Sequence, residues 1–95
     1  MATMMDTVLL PLLKVNVGIS SAARDEYLKA VINSTVDELE KNYNISLDES
    51  DYHQVMFIVD YSAWKYRSRG EGIIPRNLQF RLHNLVIKNG GDSDG

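Results

Sequence analysis

The chain contains no cysteine, no long apolar run and no run in which apolar and polar residues alternate. The absence of cysteine among its 95 residues excludes disulfide bonds, cysteine-ligated zinc and thiol catalysis. No segment approaches the ~20 consecutive apolar residues of a membrane-spanning helix, and no period-two segment of useful length predicts a strand. Because 44% of the residues are hydrophobic, wholesale disorder is not expected. These limits predict one all-α domain over residues 1–88, followed by a disordered tail over residues 89–95.

The sequence also offers few residues for catalysis or metal binding. Its two histidines, His53 and His83, lie far apart, and neither has a carboxylate at metal-ligand spacing. Gly70 and Gly72 follow a predicted helix instead of a strand, so they do not form a phosphate-binding loop. No nucleophile motif surrounds any serine. We therefore predict a protein that is not an enzyme and that needs no metal or other cofactor.

The net charge of −3 hides a strong asymmetry along the chain. Residues 1–60 carry four Lys/Arg against ten Asp/Glu, whereas residues 61–91 carry six Lys/Arg against Glu71 alone. Cations near the C-terminal ends of helices complement the helix dipole, which explains part of this excess without any ligand. The alternative is a basic patch that faces nucleic acid or an acidic protein. The sequence leaves both explanations open.

Four helices are predicted from apolar periodicity and from residues that favour helix ends. Gly18 and Asn44 suit the left-handed conformation that ends a helix, and Gly70 is the expected stop of the third helix. Together these features predict a short N-terminal helix, two long amphipathic helices and a C-terminal helix. The predicted limits are Asp6 to about Val15, Ser20 or Ser21 to about Tyr43, Asp48 or Ser50 to Arg69, and Pro75 to about Lys88. Pro11 either kinks the first helix or is the first residue of a helix that starts there.

The third predicted helix has two apolar faces, although a helix on the outside of a small monomer needs only one. Two faces imply burial on two sides, and in so short a chain the second partner could be another copy of the protein. The wider face comprises Tyr52, Val55, Met56, Val59, Ala63 and Tyr66. The narrower face, here called the aromatic face, comprises Phe57, Tyr61 and Trp64. The polar seam between them comprises His53, Asp60 and Arg67.

Asp60 is unusual because its neighbours on the helix are apolar. Either its carboxylate lies half solvated at the rim between the two faces, or it forms an ion pair. The partner in such a pair would be Arg81 of the last helix or an arginine of a neighbouring copy. The last helix carries a second apolar patch, Phe80, His83 and Ile87, on a different side from the residues that it buries.

The succession of helices and two segments in the second half of the chain resemble the head–tail connector, or adaptor, proteins of tailed bacteriophages and prophages. The resemblance extends from about Asp6 to Lys88. Its most telling segments are Ala63 to Gly70 (AWKYRSRG) and Pro75 to Leu85 (PRNLQFRLHNL). It implies an all-helical subunit without enzyme activity that forms a homo-oligomeric ring beneath the portal at the capsid vertex.

The resemblance also implies partners and a location. The ring would bind the portal protein and the next tail-side, or stopper, protein, and it would continue the DNA channel through contacts to phosphate that do not read the sequence. The protein would lie in the host cytoplasm before assembly and at the head–tail junction of the virion afterwards, with no membrane partner. The expected subunit contacts are Phe57, Asp60, Tyr61, Trp64, Phe80 and Ile87. The residues expected to face the DNA channel or the portal are Lys65, Arg67, Arg69, Arg76, Arg81 and Lys88.

Two alternatives remain at the level of the sequence. The last two helices, joined by a turn, imitate a small helix-turn-helix DNA-binding regulator. The polar face that would read DNA comprises Asn77, Arg81, Asn84 and Lys88. The turn from Gly70 to Ile74 is long for that motif, and the negative net charge is unfavourable for DNA binding. The other alternative is a helical interaction domain that dimerises through the aromatic face.

Overall fold

The computed structural model describes residues 5–90, which form four α-helices. After one π-helical turn, Met5–Leu9, these are α1 (Leu10–Val17), α2 (Asp25–Asn42), α3 (Tyr52–Ser68) and α4 (Arg76–Gly90). This part of the chain contains no strand, and none of its helices is long and apolar enough to cross a membrane. The predicted all-α, four-helix fold is confirmed.

The first helix starts at Leu10, close to the alternative start predicted at Pro11 and later than the start predicted at Asp6. Proline lacks a backbone N–H and is tolerated in the first turn of a helix, where α1 places it. Asp6 lies in the preceding π-helical turn instead of capping the helix, and its carboxylate lies 3.3 Å from Lys29 of α2. At the other end Gly18 has φ of +76°, which confirms the predicted left-handed stop.

The second helix begins at Asp25, so the prediction that Ser20 or Ser21 caps it is wrong. The residues before it form a turn in which the Asp25 N–H donates to the Ala22 carbonyl at 3.1 Å. The Asp25 carboxylate lies 2.7 Å from Lys14 Nζ of α1. This ion pair holds the start of α2 against α1, and local sequence preferences contain no information about such a tertiary contact.

The loop between α2 and α3 is fixed at both ends. Asn44 adopts the predicted left-handed conformation, with φ of +58°, and Ile45 after it is 1% exposed. Further along, the buried Gln54 side chain of α3 donates to the Ser46 carbonyl at 3.0 Å and accepts from the Asp48 N–H at 2.6 Å. The loop therefore has a defined conformation although it has no regular secondary structure.

Asp51 caps α3, so the prediction that Asp48 or Ser50 does so is wrong. Its Oδ1 accepts hydrogen bonds from the N–H groups of His53 at 3.0 Å and Gln54 at 3.3 Å, the usual arrangement of an N-cap. Asp48 closes the preceding turn instead, where its Oδ1 accepts from the N–H and the hydroxyl of Ser50. Only Asp51 directly precedes the helix, and only from there does a short carboxylate reach these N–H groups.

The connection to α4 begins with two left-handed residues, Arg69 at φ +58° and Gly70 at φ +77°. The left-handed turn that ends α3 therefore begins at Arg69, one residue before Gly70, which was predicted to stop the helix. Pro75 lies just before α4, and its carbonyl accepts the Leu78 N–H at 3.0 Å. α4 continues to Gly90, so the first two residues of the predicted tail are helical. The remainder of that tail, residues 91–95, lies outside the described residues.

α3 is the central element of the fold. It packs against α1, α2 and α4, whereas among the described helices the backbone of α4 approaches α3 alone. The core draws on every helix, as Leu13, Ile32, Ile58 and Leu85 illustrate. The buried surface of α3 is consequently covered by three helices, and α4 has one packed side and one free side.

The wider face predicted on α3 is buried only in part. Val55, Val59 and Ala63 belong to the core, but Tyr52 is 80% exposed and Met56 is 41% exposed. The prediction of burial is wrong for these two residues. Periodicity identifies the side of the helix on which a residue lies, but burial also requires a neighbouring element that covers that position.

Candidate functional site

The aromatic face of α3 belongs to the protein's own core. Phe57 is 1% exposed and Tyr61 is 4% exposed, and their ring centroids lie 5.4 Å apart. Side chains buried to this degree have no surface left for a neighbouring copy. The prediction that Phe57 and Tyr61 form subunit contacts is therefore wrong, and a dimer through the aromatic face could use only Trp64.

A charged cluster joins Tyr61 to α2. The Tyr61 hydroxyl donates to Glu38 Oε2 at 2.9 Å, and Lys65 Nζ lies 2.9 Å from Glu38 Oε1 and 4.6 Å from the centroid of the Tyr61 ring. Burial first, and then the hydrogen bond to Glu38, raises the pKa of Tyr61 above its ordinary value. Lys65 is paired with Glu38 and its side chain is only 17% exposed, and its role in facing DNA or the portal stays a prediction.

Trp64 lies at the edge of the core and is half buried. Its ring stacks on Tyr61, with centroids 6.0 Å apart and planes inclined by 22°. It also lines a groove of about 270 Å³ together with Asn16, Pro75 and Leu78. The accessible part of Trp64 leaves its role as a subunit contact a prediction.

Asp60 forms its ion pair within the chain. Its Oδ2 accepts from Arg81 at 2.8 Å and its Oδ1 from the Asn16 side chain at 3.2 Å. The Asp60 side chain is 31% exposed, so it also lies at the rim, and the predicted pair with Arg81 is confirmed. The pair expected with a neighbouring copy is replaced by this internal one. The Arg81 side chain is still 32% exposed, and its role in facing the DNA channel or the portal stays a prediction.

The free side of α4 carries exposed apolar residues. Phe80 is 64% exposed and Ile87 is 51% exposed, and His83 between them is exposed too. At 100° per residue they lie opposite Leu78 and Leu85, which are buried. Phe80, His83 and Ile87 are called the outer face of α4 below. Phe80 and Ile87 are accessible as subunit contacts, and that role remains a prediction.

The cations predicted to face DNA or the portal divide into two groups. In addition to the two already described, Lys88 is paired, with its Nζ 3.0 Å from Asp51 Oδ2. That hydrogen bond is the main reason why the pKa of Asp51 lies below its ordinary value. Lys88 is therefore not a free charge. Of the six predicted cations, the exposed ones without an ion pair to any described carboxylate are Arg67, Arg69 and Arg76.

Two of these arginines lie in a groove that the sequence did not predict. The groove has a volume of about 560 Å³ and combines the start of α2 with the end of α3. Its lining residues are Ala23, Arg24, Tyr27, Tyr66, Arg67 and Arg69. It is called the arginine groove below. The sequence singled out Arg67 and Arg69, but no periodicity relates Arg24 to Tyr66, whose side chains meet only through the packing of α2 on α3.

The described residues contain no group of three metal-ligating side chains close enough to hold an ion. The polar face of α4 that would read DNA in a helix-turn-helix protein is occupied in part, since Arg81 and Lys88 are both bound to carboxylates of the α3 region. Asn77 and Asn84 are the members of that face that remain exposed. The geometry thus disfavours the DNA-reading alternative.

Comparisons with known proteins give no match. No protein-family model, no curated protein and no solved structure matches this chain. Any function must therefore be argued from the surfaces described above, namely the outer face of α4 and the uncompensated arginines.

Proposed function

We propose that this protein is a structural subunit of a head–tail connector ring in a tailed bacteriophage or prophage. In this proposal the ring docks on the portal at the capsid vertex, continues the DNA channel and receives the next tail-side protein. The subunit does no chemistry, so its activity consists of contacts with identical copies, with the portal and with the tail-side protein.

The observation that carries the proposal is the outer face of α4. Phe80 and Ile87 expose large apolar side chains on a helix whose opposite side already packs on α3. Exposed apolar patches on small proteins commonly mark protein–protein contact sites. Aromatic residues are enriched at the centres of such contacts. An amphipathic helix with a second apolar side suits a subunit that has neighbours.

The uncompensated arginines support the second part of the proposal. Three exposed arginines form no ion pair with a described carboxylate, namely Arg67, Arg69 and Arg76. Arginine binds phosphate and carboxylate groups through paired N–H donors. These residues are therefore the candidates for contact with DNA in the channel or with an acidic surface of the portal. Such contacts to phosphate would not depend on base sequence.

The test is native mass measurement of the chain alone and with a purified portal ring, for the wild type and two variants. Phe80→Asp places a charge on the outer face of α4. Ile73→Asp is the matched control, because Ile73 is 87% exposed but lies in the loop before α4. We expect the wild type and Ile73→Asp to load the portal ring with several copies and Phe80→Asp to fail. A wild type that ignores the portal, or equal loading by Phe80→Asp, contradicts the proposal.

A further inference from the structure

The cations of this protein differ in how they are neutralised. Among the described residues every lysine lies within 4 Å of a carboxylate, whereas Arg81 is the one arginine that does. The uncompensated cations are Arg24, Arg67, Arg69 and Arg76. The first three line the arginine groove. Three of the four arginines without an ion pair to a described carboxylate thus lie together in the arginine groove.

Two of the guanidinium groups that line the groove are held by hydrogen bonds to uncharged acceptors, and neither forms an ion pair with a described carboxylate. Arg24 Nη1 donates to the Tyr66 hydroxyl at 2.6 Å. Arg67, which lies between this groove and the groove beside Trp64, donates through Nη2 to the Asn16 carbonyl at 2.6 Å. Each acceptor is uncharged, and a guanidinium has five N–H donors, so each group has donors left for an anion. Arg69 adds a third charge from the left-handed turn that ends α3. The groove is an ordered site for a partner that supplies negative charge.

The groove also has an aromatic part. The rings of Tyr27 and Tyr66 pack against each other, with centroids 5.9 Å apart and planes inclined by 58°. Tyr27 is 52% exposed, so one side of its ring is open to a partner. A segment with carboxylates beside an apolar side chain fits both parts of the groove.

The loop before α3 has this combination. Leu47 is 39% exposed, and Asp48 and Glu49 beside it are exposed and form no ion pair with a described cation. The hydrogen bonds from the Ser50 hydroxyl and N–H hold the Asp48 carboxylate in place and keep its pKa below the ordinary value. The Gln54 side chain of α3 also fixes the loop, because it accepts a hydrogen bond from the Asp48 N–H. Leu47, Asp48 and Glu49 are called the acidic loop below.

The acidic loop and the arginine groove lie at opposite ends of α3. A helix of 17 residues rises by about 25 Å at 1.5 Å per residue, so the loop does not reach the groove of its own copy. We propose that the acidic loop of one copy docks into the arginine groove of the next, in a head-to-tail contact between identical chains. Such a heterologous contact, repeated, generates a closed ring or an open filament. The inference rests on the proposed function in one respect, namely that the repeat closes into a ring. It assigns Arg67 and Arg69 to the contact between copies, which leaves Arg76 as the uncompensated arginine for DNA or the portal.

Charge complementarity favours this occupant over nucleic acid. The open Tyr27 ring fits either occupant, because a base can stack on it and the Leu47 side chain can pack on it. The net charge of −3 repels a polyanion at long range more strongly than it repels a second copy of the chain, and it permits a local contact between surfaces of opposite sign. Binding of DNA in the groove is accordingly an outcome that the test must distinguish.

The test uses two charge-reversed variants followed by sedimentation velocity at low ionic strength. The groove variant is Arg24→Glu with Arg69→Glu. The loop variant is Asp48→Asn with Glu49→Lys, in which the asparagine keeps the acceptor for Ser50. We expect salt-sensitive association of the wild type, weakened by roughly tenfold or more in each variant, which corresponds to the loss of one good contact. An equimolar mixture of the two variants restores association, because the reversed groove then meets the reversed loop.

Matched controls are Arg76→Glu, an uncompensated arginine outside the groove, and Glu40→Lys, an exposed acid of α2 outside the loop. Both are expected to associate like the wild type. A wild type that stays monomeric at low salt overturns the inference, and so does a mixture that fails to associate. If the groove variant loses retention of duplex DNA while it still self-associates, the groove binds phosphate instead. If the two variants fail to associate when mixed but the wild type still loads the portal ring, the proposed function stands. Only the contact between the acidic loop and the arginine groove is then ruled out.

Discussion

The aromatic face of α3 and the outer face of α4 carry similar side chains in different surroundings. Phe57 is 1% exposed and Phe80 is 64% exposed, although each lies on an amphipathic helix of similar length. α3 has three helical neighbours, whereas α4 has one. The difference shows that the same apolar pattern contributes to folding on one helix and remains available for association on the other. The number of neighbouring elements, not the polarity of the residues, separates the two cases.

The largest effect on folding is expected when the buried ring of Phe57 is removed. Phe57→Ala is expected to lower the free energy of unfolding by about 3–5 kcal/mol, because it removes a buried ring and leaves a cavity between α3 and its neighbours. Urea denaturation followed by far-UV circular dichroism measures the change. An unaltered denaturation midpoint would show that the core does not depend on the aromatic face.

Two glutamines extend the comparison to polar groups. Gln54 of α3 is 1% exposed and bonds twice to the loop, whereas Gln79 of α4 is exposed and donates once, to the Ile74 carbonyl. Gln54→Ala removes both hydrogen bonds and a buried side chain and is expected to cost about 2 kcal/mol, against about 0.5 kcal/mol for Gln79→Ala. Thermal unfolding of both variants checks the ranking, and equal costs would contradict it.

Asp51 tests the junction between the two helices, because it caps α3 and binds Lys88 of α4. Asp51→Ala removes both contacts and is expected to cost about 1 kcal/mol, whereas Asp51→Asn keeps the cap and costs less. The pKa of Asp51 is lowered in the folded state, so its contribution is present above the ordinary aspartate pKa of about 3.9 and is lost as the pH falls below it. Unfolding measured from pH 7 to pH 3 should accordingly show a smaller loss in Asp51→Asn than in the wild type.

The smallest effect on folding is expected at the outer face of α4. Phe80→Ala and Ile87→Ala remove apolar groups that no described element covers, so each should change the free energy of unfolding by about 0.5 kcal/mol or less. Chemical denaturation measures both. A cost close to that of Phe57→Ala would mean that the outer face is a folding surface, and the argument for a contact site there would fail.

The existence of the helices was predictable because each has its own periodicity and its own end signals. Gly18 and Asn44 occupy the left-handed positions that their residue types favour. The start of α2 was mispredicted, and its first residue, Asp25, forms an ion pair with Lys14 that only the folded chain brings together. The start of α3 was mispredicted for a local reason, because Asp48, Ser50 and Asp51 all offer capping oxygens and only Asp51 directly precedes the helix. The helix ends at Gly18 and Asn44 were therefore easier to predict than the helix starts.

The candidate surfaces follow the same division. The sequence predicted the apolar side of α4 and the pair between Asp60 and Arg81, because both follow from residue types on neighbouring helices. It assigned Phe57 to an interface because periodicity does not reveal which helix covers a face. It missed the arginine groove because Arg24 and Tyr66 are far apart in the chain, and their contact is a property of the packing alone.

The attachment of α4 through a single side has a consequence for the order in which the molecule opens. Releasing α4 exposes Leu78 and Leu85 but leaves α1, α2 and the buried rings of α3 in place. Local opening of a unit with few buried contacts requires less free energy than global unfolding. Amide protons of α4 are therefore expected to exchange with deuterium through a sub-global opening, while those at the centre of α3 exchange only when the whole domain unfolds. A bound neighbour on the outer face would slow exchange in α4 first, which makes that helix the natural reporter of assembly.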